Sequence, residues 1–314
     1  MPAFTQHSWF LTGATASGKS RVAVALAERL GAEIIAMDSM TLYRGMNIGT
    51  DKPTQADQAR VRHHLIDILE PSESASLDQY LKWAGSAVDE IRSRGKQPLF
   101  VGGTPLYLKA CLRGIFEGPP ADLAFREQLE REAEEVGVER LHEQLRVTDP
   151  KAADKILPGD LRRIIRAMEV HEKTGRPISD WQQEFDKPAD PKPAVACIVR
   201  SREERRRRID ERVPIMFAEG WIDEVRRLIA PGQPALSRVA SQAVGYEEII
   251  EHLSGRVSLD ETIRLIQTRT RQFSKRQMTW FRHIEECTFV ETNEVEPFES
   301  LLERLISFFE NHVP

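Results

Sequence analysis

Residues 13–20 have the types and spacing of a phosphate-binding loop. They read Gly-Ala-Thr-Ala-Ser-Gly-Lys-Ser, which satisfies the pattern G-x-x-x-x-G-K-[S/T]. In such a loop the glycines let successive backbone N–H groups point at phosphate oxygens, the lysine adds positive charge, and the last hydroxyl can bind Mg²⁺. We therefore predict a diphosphate or nucleotide site, with Ser20 as the protein ligand of a Mg²⁺ cofactor. The site consists of Gly13, Ala14, Thr15, Ala16, Ser17, Gly18, Lys19 and Ser20.

A carboxylate and a hydroxyl each follow a further apolar run. Asp38 comes directly after residues 34–37, and Thr104 ends the sequence Gly-Gly-Thr after residues 98–101. Open α/β sheets bind ligands at the carboxyl edge of their strands, so both side chains are candidates for the site. Asp38 is equally suited to capping the next turn, and Gly-Gly-Thr to forming a tight one. Nucleotide hydrolases of this kind usually carry a metal-binding Asp after such a strand, so Gly-Gly-Thr disfavours hydrolysis.

A basic segment precedes the carboxyl terminus. Residues 262–284 contain six Lys or Arg and no acidic residue. On a helix, an apolar stripe would dock on the core, and it consists of Ile263, Ile266, Phe273 and Trp280. A basic stripe would face a polyanion, and it consists of Arg264, Arg271, Lys275 and Arg282. The alternative is a solvated basic face, but residues 205–208 with Arg212, and Arg162, Arg163 and Arg166, form two more basic runs that favour the polyanion.

Short apolar runs alternate with helical patterns over the first part of the chain. Strands are predicted at residues 8–11, 34–37, 65–69, 98–101 and 194–199, and helices at 21–30 and 77–94. Alternation of this kind is typical of a parallel sheet with helices on both faces. The predicted fold class is therefore α/β, a P-loop NTPase-like parallel sheet flanked by helices.

A purely helical stretch interrupts this pattern. After Gly-Pro-Pro at 118–120, helical patterns cover residues 123–137, 139–145 and 160–174, and a proline-rich joint at 187–193 precedes the next predicted strand. We predict a catalytic core made of residues 1–118 and 194–314. An all-helical insertion domain is expected at residues 119–193.

Composition bounds the function classes. The 314 residues include 44 Lys+Arg and 49 Asp+Glu, for a formal net charge of -5. This negative net charge alone argues against a nucleic-acid partner, although a binding groove needs only a local excess of Lys and Arg. Three scattered cysteines fit neither a disulfide framework nor a zinc site, and neither a secretory signal nor a spanning apolar run is found. We expect a cytoplasmic protein with no membrane partner.

The pair His63-His64 could suggest a metal site. Adjacent residues on a strand point to opposite faces, and no cysteine or further histidine cluster accompanies the pair. Packing or a hydrogen bond is therefore expected. The five tryptophans are dispersed along the chain and are interpreted as packing residues.

Taken together, the motifs resemble the tRNA dimethylallyltransferase (isopentenyl-tRNA transferase) family over essentially the whole chain. The most specific blocks are Asp-Ser-Met-Thr-Leu-Tyr-Arg-Gly-Met at 38–46 and Lys-Arg-Gln-Met-Thr-Trp at 275–280, in addition to the phosphate loop. Further matches are His-His-Leu-Ile-Asp at 63–67, Arg-Arg-Ile-Ile-Arg at 162–166 and Val-Gly-Tyr-Glu-Glu at 244–248. The carboxyl-terminal zinc finger of many eukaryotic relatives is absent, so the chain is similar to the bacterial type.

The resemblance implies transfer of a dimethylallyl group from dimethylallyl diphosphate to N6 of adenosine 37 in tRNA, on the 3′ side of the anticodon, with release of pyrophosphate. It assigns Asp38 as general base, and Thr104 and Arg212 to the leaving diphosphate. It places the anticodon stem-loop against the helical insertion and a long set of residues. That set is Asp38, Ser39, Met40, Thr41, Thr104, Arg126, Arg162, Arg163, Ile164, Ile165, Arg166, Gln242, Gly245, Tyr246, Glu247, Lys275, Arg276, Gln277, Thr279, Trp280 and Arg282.

Two other functions are compatible with a phosphate loop. One is a P-loop kinase of a small metabolite or nucleotide, and the other is a nucleotide-switched RNA-binding protein without chemistry. The acid-free basic segment, the helical insertion and the lack of an Asp after residues 98–101 favour the tRNA prenyltransferase. We expect a monomer.

Overall fold

A computed structural model describes residues 1–115, 118–181 and 187–312. The chain forms two compact units, Met1–Leu112 with Pro188–Pro314, and Arg113–Lys187. The second unit begins and ends a few residues before the expected limits of 119 and 193. At its far end, the proline-rich joint belongs to the first unit from Pro188 onwards, where the Ala189 N–H donates to Glu286 Oε1 at 2.8 Å.

The first unit contains one six-stranded sheet in which every pairing is parallel. Its strands are β1 Trp9–Thr12, β2 Ala32–Ala36, β3 His63–His64, β4 Gln97–Gly102, β5 Val195–Val199 and β6 Cys287–Glu291. They lie in the order β3-β2-β4-β1-β5-β6. Every residue of β1 and β2 is buried, as expected for strands covered on both faces. The predicted fold class is confirmed.

Fourteen α-helices are present in the described part of the chain. Those of the first unit are α1 Lys19–Leu30, α2 Gln55–Arg60, α3 Leu77–Ser93, α4 Pro105–Arg113, α10 Arg202–Ala218, α11 Trp221–Leu228, α12 Tyr246–Leu253, α13 Leu259–Arg282 and α14 Phe298–Glu310. Those of the second unit are α5 Leu123–Val136, α6 Val138–Thr148, α7 Pro150–Lys155, α8 Leu161–Thr174 and α9 Ile178–Trp181. Within the described ranges, none is both long and apolar enough to cross a membrane.

The sheet has a core on each face because neighbouring strand residues point to opposite sides. Phe10 and Phe100 belong to one cluster, which includes apolar residues of α3, α4 and α10–α13. Leu11 and Leu99 belong to the other, which includes residues of α1 and α14. Because all strands are parallel, their carboxyl ends lie at one edge of the sheet, where the loops after β1, β2, β4 and β5 come together.

Two strand predictions need correction. Residues 65–69 are not a strand, because Leu65 and Asp67 have positive φ angles of 61° and 55°, and the backbone turns there. The strand lies just before, at His63–His64, and a single bridge joins Leu69 to Tyr43. The edge strand β6 was not predicted, because three of its five residues are exposed and its sequence lacks an apolar run.

The two histidines of β3 bind oxygen atoms of the protein. His63 Nδ1 lies 2.7 Å from Val61 O, and His64 Nε2 lies 2.8 Å from Glu33 Oε2. No group of three or more His, Cys, Asp or Glu that could hold a metal occurs among the described residues. The pair therefore serves packing and hydrogen bonding.

The buried face of α13 differs from the predicted stripe. Ile266 is buried as expected, but Trp280 is 39% exposed. The residues that the helix buries are Thr262, Ile266, Thr270, Ser274, Gln277, Met278 and Phe281. Four of these seven side chains are polar, so hydrophobic periodicity alone could not identify the face. Trp280 is thus wrongly interpreted as a packing residue.

The second unit has its own small core. Leu129 of α5, Leu141 and Leu145 of α6, and Ile164 and Ile165 of α8 pack together. The side chains of Ile164 and Ile165 are therefore unavailable for the RNA contact implied by the resemblance. In the same unit the fully buried Glu169 carboxylate accepts hydrogen bonds from Arg126 Nε at 2.8 Å and NH2 at 2.7 Å, and it also binds Arg166. These two predicted RNA ligands thus share one internal ion-pair cluster.

We predict that Ile164→Ala lowers the free energy of unfolding by about 2–5 kcal/mol, because it leaves a cavity in this core. Arg163→Ala is the matched control, since the neighbouring arginine is exposed and should change stability by less than about 0.5 kcal/mol. Urea denaturation followed by circular dichroism measures both. Equal stability of Ile164→Ala and the parent chain would contradict the assigned core position.

Candidate active site

The phosphate loop joins β1 to α1 and has the backbone that anion binding requires. Gly13 and Gly18 have φ angles of 151° and 89°, and Ala16 has a φ of 65°. A Cβ on Gly13 would lie 2.7 Å from Ile198 O, so no larger residue fits there. Gly18 immediately precedes the first turn of α1, whose N–H groups have no partners within the helix. This geometry leaves backbone donors and a helix amino terminus available for phosphate oxygens.

Three arginines donate hydrogen bonds to this loop. Arg200 Nε donates to Ser17 O at 2.9 Å and Arg208 Nε donates to Ala16 O at 3.0 Å. Arg212 NH2 donates to Thr15 Oγ1 at 3.2 Å. Burial, together with the nearby Arg200 and Arg212 charges, lowers the pKa of Arg208. The structure therefore surrounds the loop with positive charge.

Arg200 was missed in the sequence, and Arg208 was noticed only as part of a basic run. The available signal was position, because Arg200 comes directly after β5 at the carboxyl edge of the sheet. Arg205 of the same run has a different role, since its guanidinium is buried and donates to Ser274 Oγ at 2.9 Å.

Lys19 lies where the loops meet. A Cβ on Gly103 would come within 3.4 Å of Lys19 Nζ. Burial lowers the pKa of Lys19, while the nearby Asp38 and Asp51 carboxylates oppose that shift. Two predicted site residues from separate loops, Lys19 and Asp38, are thus close enough to interact electrostatically.

Asp38 and Thr104 organise the turn after β2. Met40 N donates to Asp38 Oδ1 at 2.9 Å, and Ser39 N donates to Thr104 Oγ1 at 3.2 Å. The capping interpretation of Asp38 is therefore correct for one oxygen, while no described residue donates to Oδ2. Burial and the negative charge of Asp38 raise the pKa of Tyr107, so the Tyr107 phenol lies within electrostatic range of this carboxylate.

The glycines after β4 allow close approach. A Cβ on Gly102 would lie 1.9 Å from Met37 O, so the β2 and β4 loops touch only because this side chain is absent. The Gly-Gly-Thr sequence therefore forms part of the floor of the site.

Gln277 connects α13 to the site. Its Oε1 accepts a hydrogen bond from Thr15 N at 2.8 Å, and its Nε2 donates to Gly103 O at 2.6 Å. The side chain is 3% exposed. Gln277 was placed among the RNA contacts, but its amide is used inside the protein to hold the phosphate loop against the β4 loop.

Two buried polar atoms beside the loop are not satisfied within the described protein. Ser17 Oγ and Arg212 Nε have no hydrogen-bond partner there. Buried polar groups normally have partners, so such atoms indicate where a polar ligand binds. Both adjoin the phosphate loop and are consistent with a bound anion.

The donor set for a metal is small. Ser20, in the first turn of α1, is exposed and offers one hydroxyl. Mg²⁺ commonly binds one or two protein oxygens and takes its remaining ligands from substrate phosphates and water. A single hydroxyl beside a phosphate loop fits that pattern.

The exposed residues of the RNA set divide between the two units. Lys275, Arg276, Thr279 and Trp280, with Gln272, line a shallow pocket of about 340 Å³ on α13. Lys275, Arg276 and Arg282 form no ion pair with an acidic residue that the structure describes. Gln242 and Glu247 are exposed in the first unit, and Arg162 and Arg163 in the second.

Other members of the basic and RNA sets are either paired with an acidic residue or buried. Arg271 pairs with Asp210, and Arg264 lies 3.8 Å from Glu261, so part of the predicted basic stripe is neutralised. Thr41 and Gly245 are buried, and Tyr246 is fully buried with its hydroxyl donating to Glu224 Oε1 at 2.7 Å. The side chains of Thr41 and Tyr246 are therefore not available at the surface. Ser39 and Met40 are half-buried beside Asp38.

Comparison with known proteins agrees with this geometry. The chain is 44% identical over 298 residues to a tRNA dimethylallyltransferase of Geobacter metallireducens, covering 95% of this chain and 96% of that one. The crystal structure of a tRNA isopentenylpyrophosphate transferase from Bacillus halodurans matches with a TM-score of 0.72 at 36% identity, covering 98% of this chain and 97% of that one. A eukaryotic dimethylallyltransferase acting on tRNA, 24% identical, shares the fold with a TM-score of 0.80 and covers 98% of this chain and 80% of that one.

The sequence model of the family described as IPP transferase matches residues 41–284, which is most of the chain. With the relatives above, this match extends over both units. The chain belongs to the IPP transferase family.

Proposed function

We propose that this protein is a tRNA dimethylallyltransferase that transfers a dimethylallyl group from dimethylallyl diphosphate to N6 of adenosine 37 in tRNA. The observation that carries the proposal is the meeting of a phosphate loop with Asp38 at one sheet edge, without an acidic residue after β4. A site of this kind holds a diphosphate and offers a carboxylate, but it lacks the metal-binding Asp that nucleotide hydrolysis usually employs.

The reaction needs a base and a stabilised leaving group. The adenine N6 attacks C1 of the dimethylallyl group, the C1–O bond breaks, and pyrophosphate leaves with both electrons of that bond. The N6 lone pair is delocalised into the ring, so transfer of its proton to a carboxylate increases its reactivity. We assign this role to Asp38, whose Oδ1 is held by the Met40 N–H.

The phosphate loop would stabilise the charge on the leaving group. Backbone N–H groups, Lys19 and Arg212 surround the place where the diphosphate would bind, and preorganised donors of this kind favour a developing negative charge. Thr104, whose hydroxyl is positioned by Ser39 N, lies next to Asp38 and could contact the same group. Mg²⁺ held by Ser20 would neutralise further phosphate charge.

The tRNA would bind through exposed basic residues. Lys275, Arg276 and Arg282 on α13 are unpaired within the described chain and therefore available for phosphates, and Trp280 exposes an aromatic face for base stacking. Arg162 and Arg163 provide positive charge on the second unit. The target base must leave its stack to reach Asp38. The proposal includes a monomeric, cytoplasmic enzyme, and the three free cysteines are consistent with a reducing compartment.

One assay tests this function directly. The protein is incubated with Mg²⁺, dimethylallyl diphosphate and unmodified tRNA carrying adenosine at position 37. We expect N6-dimethylallyladenosine and one pyrophosphate for each adenosine modified. No prenylated tRNA, together with phosphoryl transfer from ATP to a small molecule, would support the kinase and overturn the proposal.

Asp38→Asn should lower kcat by about 10²–10⁴-fold, because the amide cannot accept the N6 proton. The amide oxygen can still accept the Met40 N–H, so the turn should persist and the Kd for tRNA should stay within about twofold of the parent value. Single-turnover kinetics and filter binding measure the two quantities. An unchanged kcat would remove Asp38 as the base.

The double variant Lys275→Ala/Arg276→Ala should weaken tRNA binding, because it removes two cations that can neutralise RNA phosphates. The slope of log Kd against log salt should fall by about one for each phosphate that is no longer neutralised. Arg264→Ala on the same helix is the matched control, because Arg264 is exposed and lies 3.8 Å from Glu261. If the control and the double variant had equal salt slopes, the proposed RNA surface on α13 would be wrong.

A further inference from the structure

A buried carboxylate lies outside every role assigned above. Glu224, on α11, is 2% exposed. Its Oε2 accepts hydrogen bonds from the backbone N–H groups of Asn47 and Ile48, both at 2.8 Å. Its Oε1 accepts from Gly49 N at 3.2 Å and from the Tyr246 hydroxyl at 2.7 Å. Four donors from two other segments therefore converge on one side chain.

Two glycines beside this carboxylate are packed closely against aromatic rings. A Cβ on Gly49 would lie 2.4 Å from Trp221 Nε1 and 2.5 Å from Tyr246 Cε2. A Cβ on Gly245 would lie 2.2 Å from Trp221 Cη2. The backbone at residues 47–49 is therefore pressed against two aromatic rings and tied to the acid below them.

The tied segment continues directly into Asp51. Asp51 N donates to Ile48 O at 3.1 Å, and Lys52 N donates to Asn47 O at 3.0 Å. Asp51 has a φ of 54°, a left-handed conformation that Asp adopts more readily than most non-glycine residues. The direction in which the Asp51 side chain leaves the backbone thus depends on the position of residues 47–49.

Asp51 reaches the phosphate site through one arginine. Its Oδ2 lies 2.7 Å from Arg212 NH1, and Arg212 NH2 donates to Thr15 Oγ1 of the phosphate loop. The Asp51 charge also acts on Lys19, where it opposes the lowering of the pKa that burial causes. Because both NH1 and NH2 of Arg212 are bound, its guanidinium is held in one orientation, whereas a free arginine side chain samples many rotamers.

We propose that Glu224 is a positioning residue for the diphosphate. By holding residues 47–49, it fixes Asp51, and Asp51 then holds the Arg212 guanidinium against the phosphate loop. This inference rests on the proposed function, because it assumes that Arg212 binds the diphosphate. Glu224 itself touches no substrate in this arrangement.

The test is Glu224→Gln in the full-length protein. An amide has one acceptor and one donor group, so in either orientation its NH₂ would face N–H or O–H donors that the carboxylate now accepts. We expect the Kd for inorganic pyrophosphate with Mg²⁺, measured by calorimetry, to rise about tenfold. The KM for dimethylallyl diphosphate should rise similarly, while the Kd for tRNA stays within about twofold.

Glu33→Gln is the matched control for a general loss of stability. Glu33 is also a buried carboxylate, held by Arg94 and His64, but it lies near the amino-terminal end of β2, away from the site edge. Its Kd for pyrophosphate should equal that of the parent protein. If Glu224→Gln does not fold, Tyr246→Phe removes only one donor to Glu224 and should raise the Kd by a smaller factor.

A double-mutant cycle distinguishes positioning through Asp51 from a purely structural role. In an Asp51→Ala background, Glu224→Gln should no longer change the pyrophosphate Kd, because the side chain that links residues 47–49 to Arg212 is absent. The effect of Glu224→Gln is measured once with Asp51 present and once with Asp51 replaced. Because each effect is a ratio of Kd values within one background, the direct effect of the Asp51 charge on the anion cancels. Equal effects in both backgrounds, or an unchanged Kd in a folded Glu224→Gln or Tyr246→Phe variant, would overturn the inference.

Failure of the inference and failure of the proposed function give different results. If only the inference is wrong, the parent protein forms prenylated tRNA while the variants bind pyrophosphate as the parent does. If the function is wrong, the parent forms no prenylated tRNA, whatever the variants bind.

Discussion

The rest of the structure depends on supplying hydrogen-bond partners to the backbone of the phosphate loop. A loop that directs its N–H groups at an anion directs carbonyl oxygens elsewhere, and buried carbonyls require donors. Arg200 and Arg208 supply them to Ser17 O and Ala16 O, and Gln277 holds the Thr15 N–H. This need accounts for the inward-facing Arg208 of α10 and the buried Gln277 of α13. The same arginines provide the positive charge that a diphosphate requires.

The sequence predicted the elements whose conformation depends on residues that are close together in the chain. The phosphate loop, the apolar strands β1, β2, β4 and β5, and the insertion helices α5, α6 and α8 all carry such signals. Residues 65–69 look like a strand, but their left-handed residues turn the chain, and that turn depends on contacts such as Lys52 Nζ with Asp67 Oδ1 at 2.6 Å. The buried face of α13 was misassigned because polar groups of the phosphate loop lie opposite it, and no periodicity in the helix reports them.

Counting basic residues overestimated the surface available to RNA. Arg126 and Arg166 neutralise the buried Glu169, and Arg205 and Arg208 bind groups inside the first unit. A buried charge must be paired, so each internal acid removes arginines from the surface set. Lys275, Arg276 and Arg282 on α13 therefore indicate an RNA-binding surface better than the whole basic run does, since no described acidic residue competes with RNA phosphates for them.

Glu224 shows why distant residues of a site escape sequence analysis. On α11 it is one acid among several charged residues, and only the fold brings its carboxylate under the backbone of residues 47–49. Burial of the Glu224 charge is tolerated because four hydrogen-bond donors compensate for the lost water. Removing the carboxylate or one of these donors would leave a buried polar group unpaired. The segment before Asp51 therefore has one well-defined position. Arg212, which Asp51 holds, therefore also has a defined position, although residues 47–49 are far from Glu224 in the sequence.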